Sequence, residues 1–171
     1  MTQDSSEKNN FLDPKKYNTI HISAEDAVDS ENKKSELSDT LIDLLKNPEH
    51  KEFRHETLGL LKKNPIGLEL LMQAIKDKKI TTGKQYLISA CWEAGMDTGK
   101  YLSDFVSIVI ENNFLEAMEA LTVIEDMQHI TDQKEILENI KKIENAIAIY
   151  KEKEKLFLLQ TTLEKLKDFI G

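Results

Sequence analysis

The chain has 171 residues, of which 40% are hydrophobic and 32% charged, a balance that is typical of one domain with a modest core and a well-solvated surface. The formal net charge of −8 disfavours nucleic acid and anionic membrane surfaces as partners, because proteins that bind phosphate backbones usually carry a basic patch. The start of the chain lacks the features of a secretory signal, and no apolar run reaches the roughly 20 residues that span a bilayer. We therefore predict a cytoplasmic protein without nucleic-acid or membrane partners.

Residues 1–34 are polar, and we predict a mobile N-terminal tail there. So few apolar side chains cannot offset the entropy that is lost when a segment of this length becomes ordered. The only apolar cluster of this segment lies at residues 17–22, which alternate weakly. An alternative interpretation is that this stretch docks as a short extended piece.

From Ser35 onward, apolar residues recur at three- and four-residue spacing, which is the periodicity of amphipathic helices. Turn-forming Asn, Gly and Pro residues separate the periodic segments, so the pattern predicts an all-α fold. The expected helices cover residues 36–46, 50–63, 66–78, 82–95, 99–112, 114–128, 131–150 and 153–169. We expect Ser35, Thr81 or Thr82, and Thr131 as N-caps, because a hydroxyl oxygen can accept a first-turn amide hydrogen.

The helices repeat as pairs along the chain. Aligned apolar positions in the first helices are offset by 30 and then 35 residues, and those in the second helices by 29 and then 34. Both series lengthen near Gly95–Gly99, so three antiparallel helix pairs are the simplest explanation. The aligned positions are Leu41, Leu71 and Val106 in the first helices, and Leu58, Leu87 and Leu121 in the second.

One stretch carries a family resemblance: Pro48-Glu49-His50-Lys51-Glu52-Phe53-Arg54, followed by Leu58-Gly59-Leu60-Leu61. An acidic residue, an apolar residue and Arg open the second helix and Leu-Gly follows, so the segment resembles a HEAT repeat. The later pairs depart from this pattern, with Gly83 and Ala117 in the positions equivalent to Arg54. The resemblance covers about residues 36–128. It implies a right-handed stack, or solenoid, whose second helices line a concave, protein-binding face. Stacking is also physically reasonable, because one pair alone has too little apolar surface to close a core.

Residues 131–170 carry two apolar stripes that would point in nearly opposite directions on one straight helix. We therefore predict a helical hairpin that turns near Lys151–Lys155 and caps the stack, as a terminal repeat must. The alternative is a coiled coil with a partner helix or a second copy. The stripes are Ile136, Ile140, Ile143, Ile147 and Tyr150, and then Leu156, Leu159, Leu163, Leu166 and Ile170. The resulting domains are residues 1–34, 35–130 and 131–171.

Cys91 and Trp92 are the only cysteine and tryptophan, and Ser89 to Trp92 partly match the signature around a papain-type nucleophile. Other parts of the signature are absent, and the 80 residues after Cys91 are too few for a histidine ~130–150 residues downstream. On a helical wheel Cys91 lies almost opposite the polar residues, so we predict a buried, unreactive thiol. We predict no catalytic residue, metal site or cofactor.

The same helix carries the candidate binding surface. Gln85, Ser89 and Glu93 are spaced by four and form a polar strip, which Tyr86 and Trp92 flank. Aromatic residues at such a boundary are favoured binding anchors, although core packing is the alternative for Trp92. Residues 96–130 contain seven acidic residues and one Lys, and this charge either steers a basic partner or serves solubility. The predicted contact residues are Tyr86, Ser89, Trp92, Glu93, Glu125 and Asp126.

These features together predict a non-enzymatic scaffold or adaptor that binds a protein or peptide of basic character through its second helices, as a monomer or weak homodimer. One alternative is an enzyme on a HEAT-like scaffold, similar to DNA glycosylases or phycobilin lyases. A glycosylase needs a basic channel, which the acidic third pair opposes. The other alternative is a structural protein that self-assembles through residues 131–170.

Overall fold

The structure is a computed structural model, and it describes residues 39–128, 130 and 132–170, without the side chain of Lys51. These residues form helices, turns and loops with no strand among them, so the predicted all-α class is confirmed. The predicted tail, the docking of residues 17–22 and the N-cap Ser35 lie outside the described residues.

The described residues contain eight α-helices, which lie close to the predicted ranges. Short 3-10 helices at Pro48–His50 and Gly99–Tyr101 lead into the second and fifth of them. In chain order the helices are α1 (39–46), α2 (Lys51–Lys63), α3 (Gly67–Lys76), α4 (Lys84–Glu93), α5 (Leu102–Glu111), α6 (Phe114–Asp126), α7 (Gln133–Ile149) and α8 (Lys153–Asp168).

The start of α4 corrects one prediction about helix caps. Its cap residue is Gly83, with a φ of 74°, and not Thr81 or Thr82. L side chains rarely adopt this left-handed conformation, whereas glycine does so without steric cost. The caps of α6 and α7 are Asn113 and Asp132, whose side-chain oxygens accept first-turn amide hydrogens. The cap of α7 is therefore Asp132 and not the predicted Thr131.

The helices bury their apolar sides in one core. Neighbours along the chain pack as α2 on α3, α3 on α4, α5 on α6 and α7 on α8. Alternate helices also pack, namely α4 on α6, α5 on α7 and α6 on α8. The buried apolar side chains form one cluster that extends from Leu41 in α1 to Leu166 in α8. Each helix therefore depends on its neighbours to cover its apolar stripe.

The last part of the chain forms two helices, because α7 ends at Ile149 and α8 begins at Lys153. The two helices pack against each other, and both also pack against α5. The two apolar stripes thereby face the same core, in which Ile136, Ile143 and Leu159 are fully buried.

Side chains from this hairpin cap both ends of α5. At the amino end, Glu135 Oε1 accepts hydrogen bonds from the N–H and the hydroxyl of Ser103, at 3.3 and 2.8 Å. At the carboxyl end, Lys155 Nζ donates to the carbonyl oxygens of Val109 and Asn112, at 2.7 and 2.9 Å. A carboxylate at the start of a helix and an ammonium at its end both complement the helix dipole. These contacts fix the position of the hairpin along α5.

Gly67 lies where α3 meets the end of α2, and this contact generates a prediction. A Cβ atom at Gly67 would lie 1.9 Å from the carbonyl oxygen of Leu61. We expect Gly67→Ala to lower the free energy of unfolding by about 2 kcal/mol or more, because the backbone must move to relieve the clash. Urea denaturation followed by circular dichroism measures the change.

Gly59→Ala is the matched control, because a Cβ atom at Gly59, within α2, would have no described heavy atom within 4 Å. We expect this substitution to raise the free energy of unfolding by about 0.5–1 kcal/mol through helix propensity alone. Equal effects of the two substitutions would contradict the close approach of α3 to α2.

Candidate functional site

A groove of about 350 Å³ opens between the α1–α2 connection and helices α2, α4 and α6. Four of the six predicted contact residues lie in its wall, whereas Glu125 and Asp126 do not. The lining residues are Leu45, Asn47, Pro48, His50, Arg54, Tyr86, Ser89, Trp92, Glu93 and Glu119.

The guanidinium of Arg54 joins three of the helices around this groove. Its Nε and Nη2 atoms donate to the two carboxylate oxygens of Glu93 at 2.8 and 2.7 Å, which is a bidentate ion pair. Nη2 also donates to Ser89 Oγ at 2.7 Å and to the Tyr86 carbonyl at 2.9 Å. Nη1 donates to the carbonyl of Leu45 at 3.2 Å. Arg54 on α2 therefore holds the end of α1 and one side of α4 in a fixed relation.

The electrostatics of the pair follow from this geometry. The hydrogen bond from Arg54 holds the pKa of Glu93 below its ordinary value of 4.5, although partial burial acts in the opposite direction. A smaller contribution that lowers the same pKa comes from Ser89. Glu93 is consequently a carboxylate at neutral pH, and its charge is compensated by Arg54.

Ser89 lies in the groove wall, but it is only 5% exposed, which corrects its predicted place in a solvated polar strip. Its hydroxyl accepts from Arg54 and lies 3.2 Å from the Tyr86 carbonyl, to which it can donate. A helical wheel of α4 alone cannot reveal this burial, because the covering group belongs to α2. Ser89 positions Arg54 in this structure.

Trp92 lies at the edge of the groove and is held there. Its indole Nε1–H donates to Glu119 Oε2 on α6 at 3.0 Å, and the residue remains 37% exposed. The ring therefore does not fill the core, and it does not rotate freely in solvent. The contact also joins α4 to α6, two helices that pack against each other.

Glu125 and Asp126 are exposed at the carboxyl end of α6. Asp126 follows Glu119 by seven residues, so its backbone lies about 10 Å further along the helix axis. The offset of 34 residues between Leu87 and Leu121 makes Asp126 the repeat equivalent of Trp92, whereas the acid that Trp92 contacts is Glu119. Helix alignment identifies equivalent positions, but contacts between neighbouring helices join residues that are displaced along the axis.

Cys91 is fully buried, as its helical position predicts. Burial in apolar surroundings raises the pKa of its thiol to about 12. A thiol with this pKa is almost entirely protonated at neutral pH and is a poor nucleophile. The predicted burial of Cys91 is confirmed.

Among residues 39–128, 130 and 132–170, no cluster of three His, Cys, Asp or Glu side chains has an arrangement that could hold a metal ion. Over the same residues, none of the helices is both long enough and apolar enough to cross a membrane.

Sequence reasoning missed Glu119 and did not assign Arg54 to the site. One signal was available, because Arg54 is the only arginine among the 23 basic residues of the chain. Lysine serves at all the other positions, so the lone arginine indicates a place that requires a planar, bidentate donor. Glu119 gave no such signal, since it is one acid among several on α6.

No known protein-family model matches the chain, and no curated protein or solved structure is detectably similar to it. The resemblance to HEAT repeats therefore depends on the residues around Arg54 and on the repeat spacing alone.

The ion pair between Arg54 and Glu93 generates a prediction about pH. We expect Glu93→Gln to lower the free energy of unfolding at neutral pH by about 1 kcal/mol, because it removes a partly buried, charge-assisted hydrogen-bond acceptor. The pKa of Glu93 is lower in the folded than in the unfolded state. The contribution is therefore fully present above the unfolded pKa, near 4.5, and is lost as the pH falls through the folded pKa.

Urea unfolding of the wild type and the variant, at several pH values between neutral and about 3, measures this difference. Glu138→Gln is the control, because it removes an exposed acid that lies 3.8 Å from Lys134 on the surface of α7 and should change stability little. If the stability difference between the wild type and Glu93→Gln were the same at about pH 3 as at neutral pH, the lower pKa of Glu93 in the folded state would be contradicted.

The buried thiol generates a second prediction. We expect iodoacetamide to modify Cys91 at least about 100-fold more slowly in the native protein than in urea, because the thiolate is scarce and enclosed by apolar side chains. Mass spectrometry of the intact chain follows the reaction. Native and unfolded protein that react at similar rates would show that Cys91 is accessible.

Proposed function

We propose that this protein is a non-enzymatic scaffold or adaptor that binds a segment of another protein in the groove between α2, α4 and α6. The observation that supports this most is Trp92, which remains 37% exposed although Glu119 holds its indole N–H. A large ring that is already ordered offers contact area without a further loss of side-chain entropy on binding. Such rings are frequent centres of binding energy.

The chemistry of the groove favours a partner of basic character. Leu45, Pro48 and Tyr86 add apolar surface beside Trp92. The charge of Glu93 is compensated by Arg54, whereas Glu119 brings a carboxylate from a region with seven acidic residues and one Lys. A segment with an apolar side chain and a neighbouring Lys or Arg complements this wall. The same charge disfavours nucleic acid.

A HEAT-like solenoid is the architecture that we propose for the helices. Packing of α4 on α6, of α5 on α7 and of α6 on α8 supports it, because stacked helix pairs bring alternate helices together. In this arrangement α7 and α8 continue the stack beyond three pairs, as its C-terminal cap. The groove and Trp92 then belong to the side formed by the second helices. We also propose that the protein is a monomer or a weak homodimer and that it is located in the cytoplasm.

We expect Trp92→Ala to reduce capture of partner proteins from a native lysate by at least about 30-fold, which corresponds to a hot-spot loss of about 2 kcal/mol. The double substitution Glu125→Lys/Asp126→Lys should weaken capture by reversing charge near the groove. Quantitative mass spectrometry of the captured proteins measures both effects, and circular dichroism verifies that the variants fold.

Ile149→Ala is the matched control, because Ile149 is an apolar residue of α7 that is 73% exposed and absent from the groove wall. It should capture the same partners as the wild type. A Trp92→Ala variant that is folded and retains the full partner set would refute the proposed function.

A further inference from the structure

Helix α6 exposes large apolar side chains that the groove does not use. Phe114, Leu115 and Met118 are 43%, 52% and 38% exposed. Single exposed apolar residues are common, but several within the first two turns of one helix form a patch of the kind found at interaction surfaces.

The exposed side of α6 combines this patch with acidic groups. At 100° per residue, six side chains fall within a sector of about 120° that points away from the core. The apolar residues Leu115 and Met118 lie in the first turns of this sector, Glu119 follows them, and Glu125 and Asp126 lie in the last turn. We call this surface the α6 face, and its members are Leu115, Met118, Glu119, Thr122, Glu125 and Asp126.

The charges of the α6 face are not neutralised within the described part of the chain. Neither Glu125 nor Asp126 forms a salt bridge with a described residue. Both lie in the last turn of α6, which contains no basic residue. Negative charge at the carboxyl end of a helix opposes the helix dipole, so this arrangement is unfavourable for α6 itself. Cations of a partner would relieve it.

A second copy of the same chain fits the α6 face poorly. In a two-fold symmetric contact the same surface occurs on both sides, so the acids of one α6 would approach those of the other. Like charges across an interface reduce affinity. The net charge of −8 adds a general repulsion between copies.

We propose that the α6 face docks an amphipathic helix with a basic side from another protein. The 13 residues of α6 extend over about 20 Å, so a partner helix of about four turns would cover the surface. Its apolar side packs on Leu115 and Met118, and its Lys or Arg side chains approach Glu125 and Asp126. This inference goes beyond the proposed function, because the surface borders the groove at Glu119 but does not require Trp92.

The test uses the full-length protein and three fluorescein-labelled peptides of about 14 residues, long enough to cover α6. The first contains Leu and Lys in amphipathic helical order, the second has the same composition in scrambled order, and the third replaces Lys with Glu. Fluorescence anisotropy measures binding. We expect the first peptide to bind at least about tenfold more tightly than the other two, because it alone combines an apolar side with basic charge.

Variants then locate the bound peptide. We expect Leu115→Ser/Met118→Ser and Glu125→Lys/Asp126→Lys each to weaken binding at least about tenfold. All four positions are exposed, so the fold should persist, and circular dichroism verifies it. Ile149→Ser, at an exposed position of α7, is the control and should keep the affinity of the first peptide within about twofold. Trp92→Ala is measured beside these variants to distinguish the groove from the α6 face.

Three outcomes would overturn the inference. Equal affinity for the scrambled peptide would show binding by charge alone, and an equal loss with Ile149→Ser would show binding that is not confined to the α6 face. A loss with Trp92→Ala, without a loss in Leu115→Ser/Met118→Ser, would place the peptide in the groove. This last result would support the proposed function while it refutes the α6 face.

Discussion

The hydrogen bonds of Arg54 are the interaction on which the candidate site depends. One planar guanidinium pairs with Glu93, contacts Ser89, and donates to carbonyl oxygens of Leu45 and Tyr86. An ammonium group cannot reproduce this set, because its three donors are not arranged in a plane that matches a carboxylate. Without Arg54, Glu93 would be a partly enclosed carboxylate with no cation beside it, at the surface where α2 meets α4. The groove therefore depends on a contact between Arg54 and Glu93, two residues that are 39 positions apart in the chain.

Polar contacts of similar kind join the other helices, and they complement the apolar core. On the side of α3 and α5, Lys76 pairs with Asp104 at 2.7 Å, and Lys100 pairs with Glu69. Both lysine ammonium groups also lie over the ring of Tyr101, at 5.4 and 5.1 Å from its centre. Exposed ion pairs contribute little free energy, so the continuous core provides most of the stability. The polar contacts instead join particular positions on neighbouring helices.

Much of this fold follows from local sequence. Apolar spacing predicted all eight helices closely, because burial of one side of a helix leaves a periodic pattern in the chain. The burial of Cys91 followed from the same pattern. The cap at Gly83 did not follow from this pattern. The backbone of Gly83 approaches the carbonyl oxygen of Lys46 so closely that a Cβ atom would lie only 2.1 Å from it. Such an approach is set by the packing of distant helices, and nothing beside Thr81 and Thr82 reveals it.

The site was predictable on one helix and less so across helices. Spacing on α4 alone selected Tyr86, Trp92 and Glu93, which lie together in the groove wall because they belong to one helix. Ser89 proved to be covered by a group from α2, and the acid that binds Trp92 proved to be Glu119. Both contacts join side chains on different helices. They depend on how one helix is positioned along another, which the spacing of residues within one helix does not reveal.

The central claim is that Trp92, held by Glu119, is a binding surface, and its indole N–H resonance provides the most direct measurement. The chain contains one tryptophan, so a nitrogen–proton correlation spectrum of the full-length protein contains one such signal. We would titrate the protein with a pool of short peptides that each combine one Leu, Phe or Tyr with neighbouring lysines. We expect the indole signal to shift in a saturable manner, together with the amide signals of Tyr86 and Glu93. An indole signal that does not move while other amides saturate, or a spectrum that does not change at all, would contradict the claim.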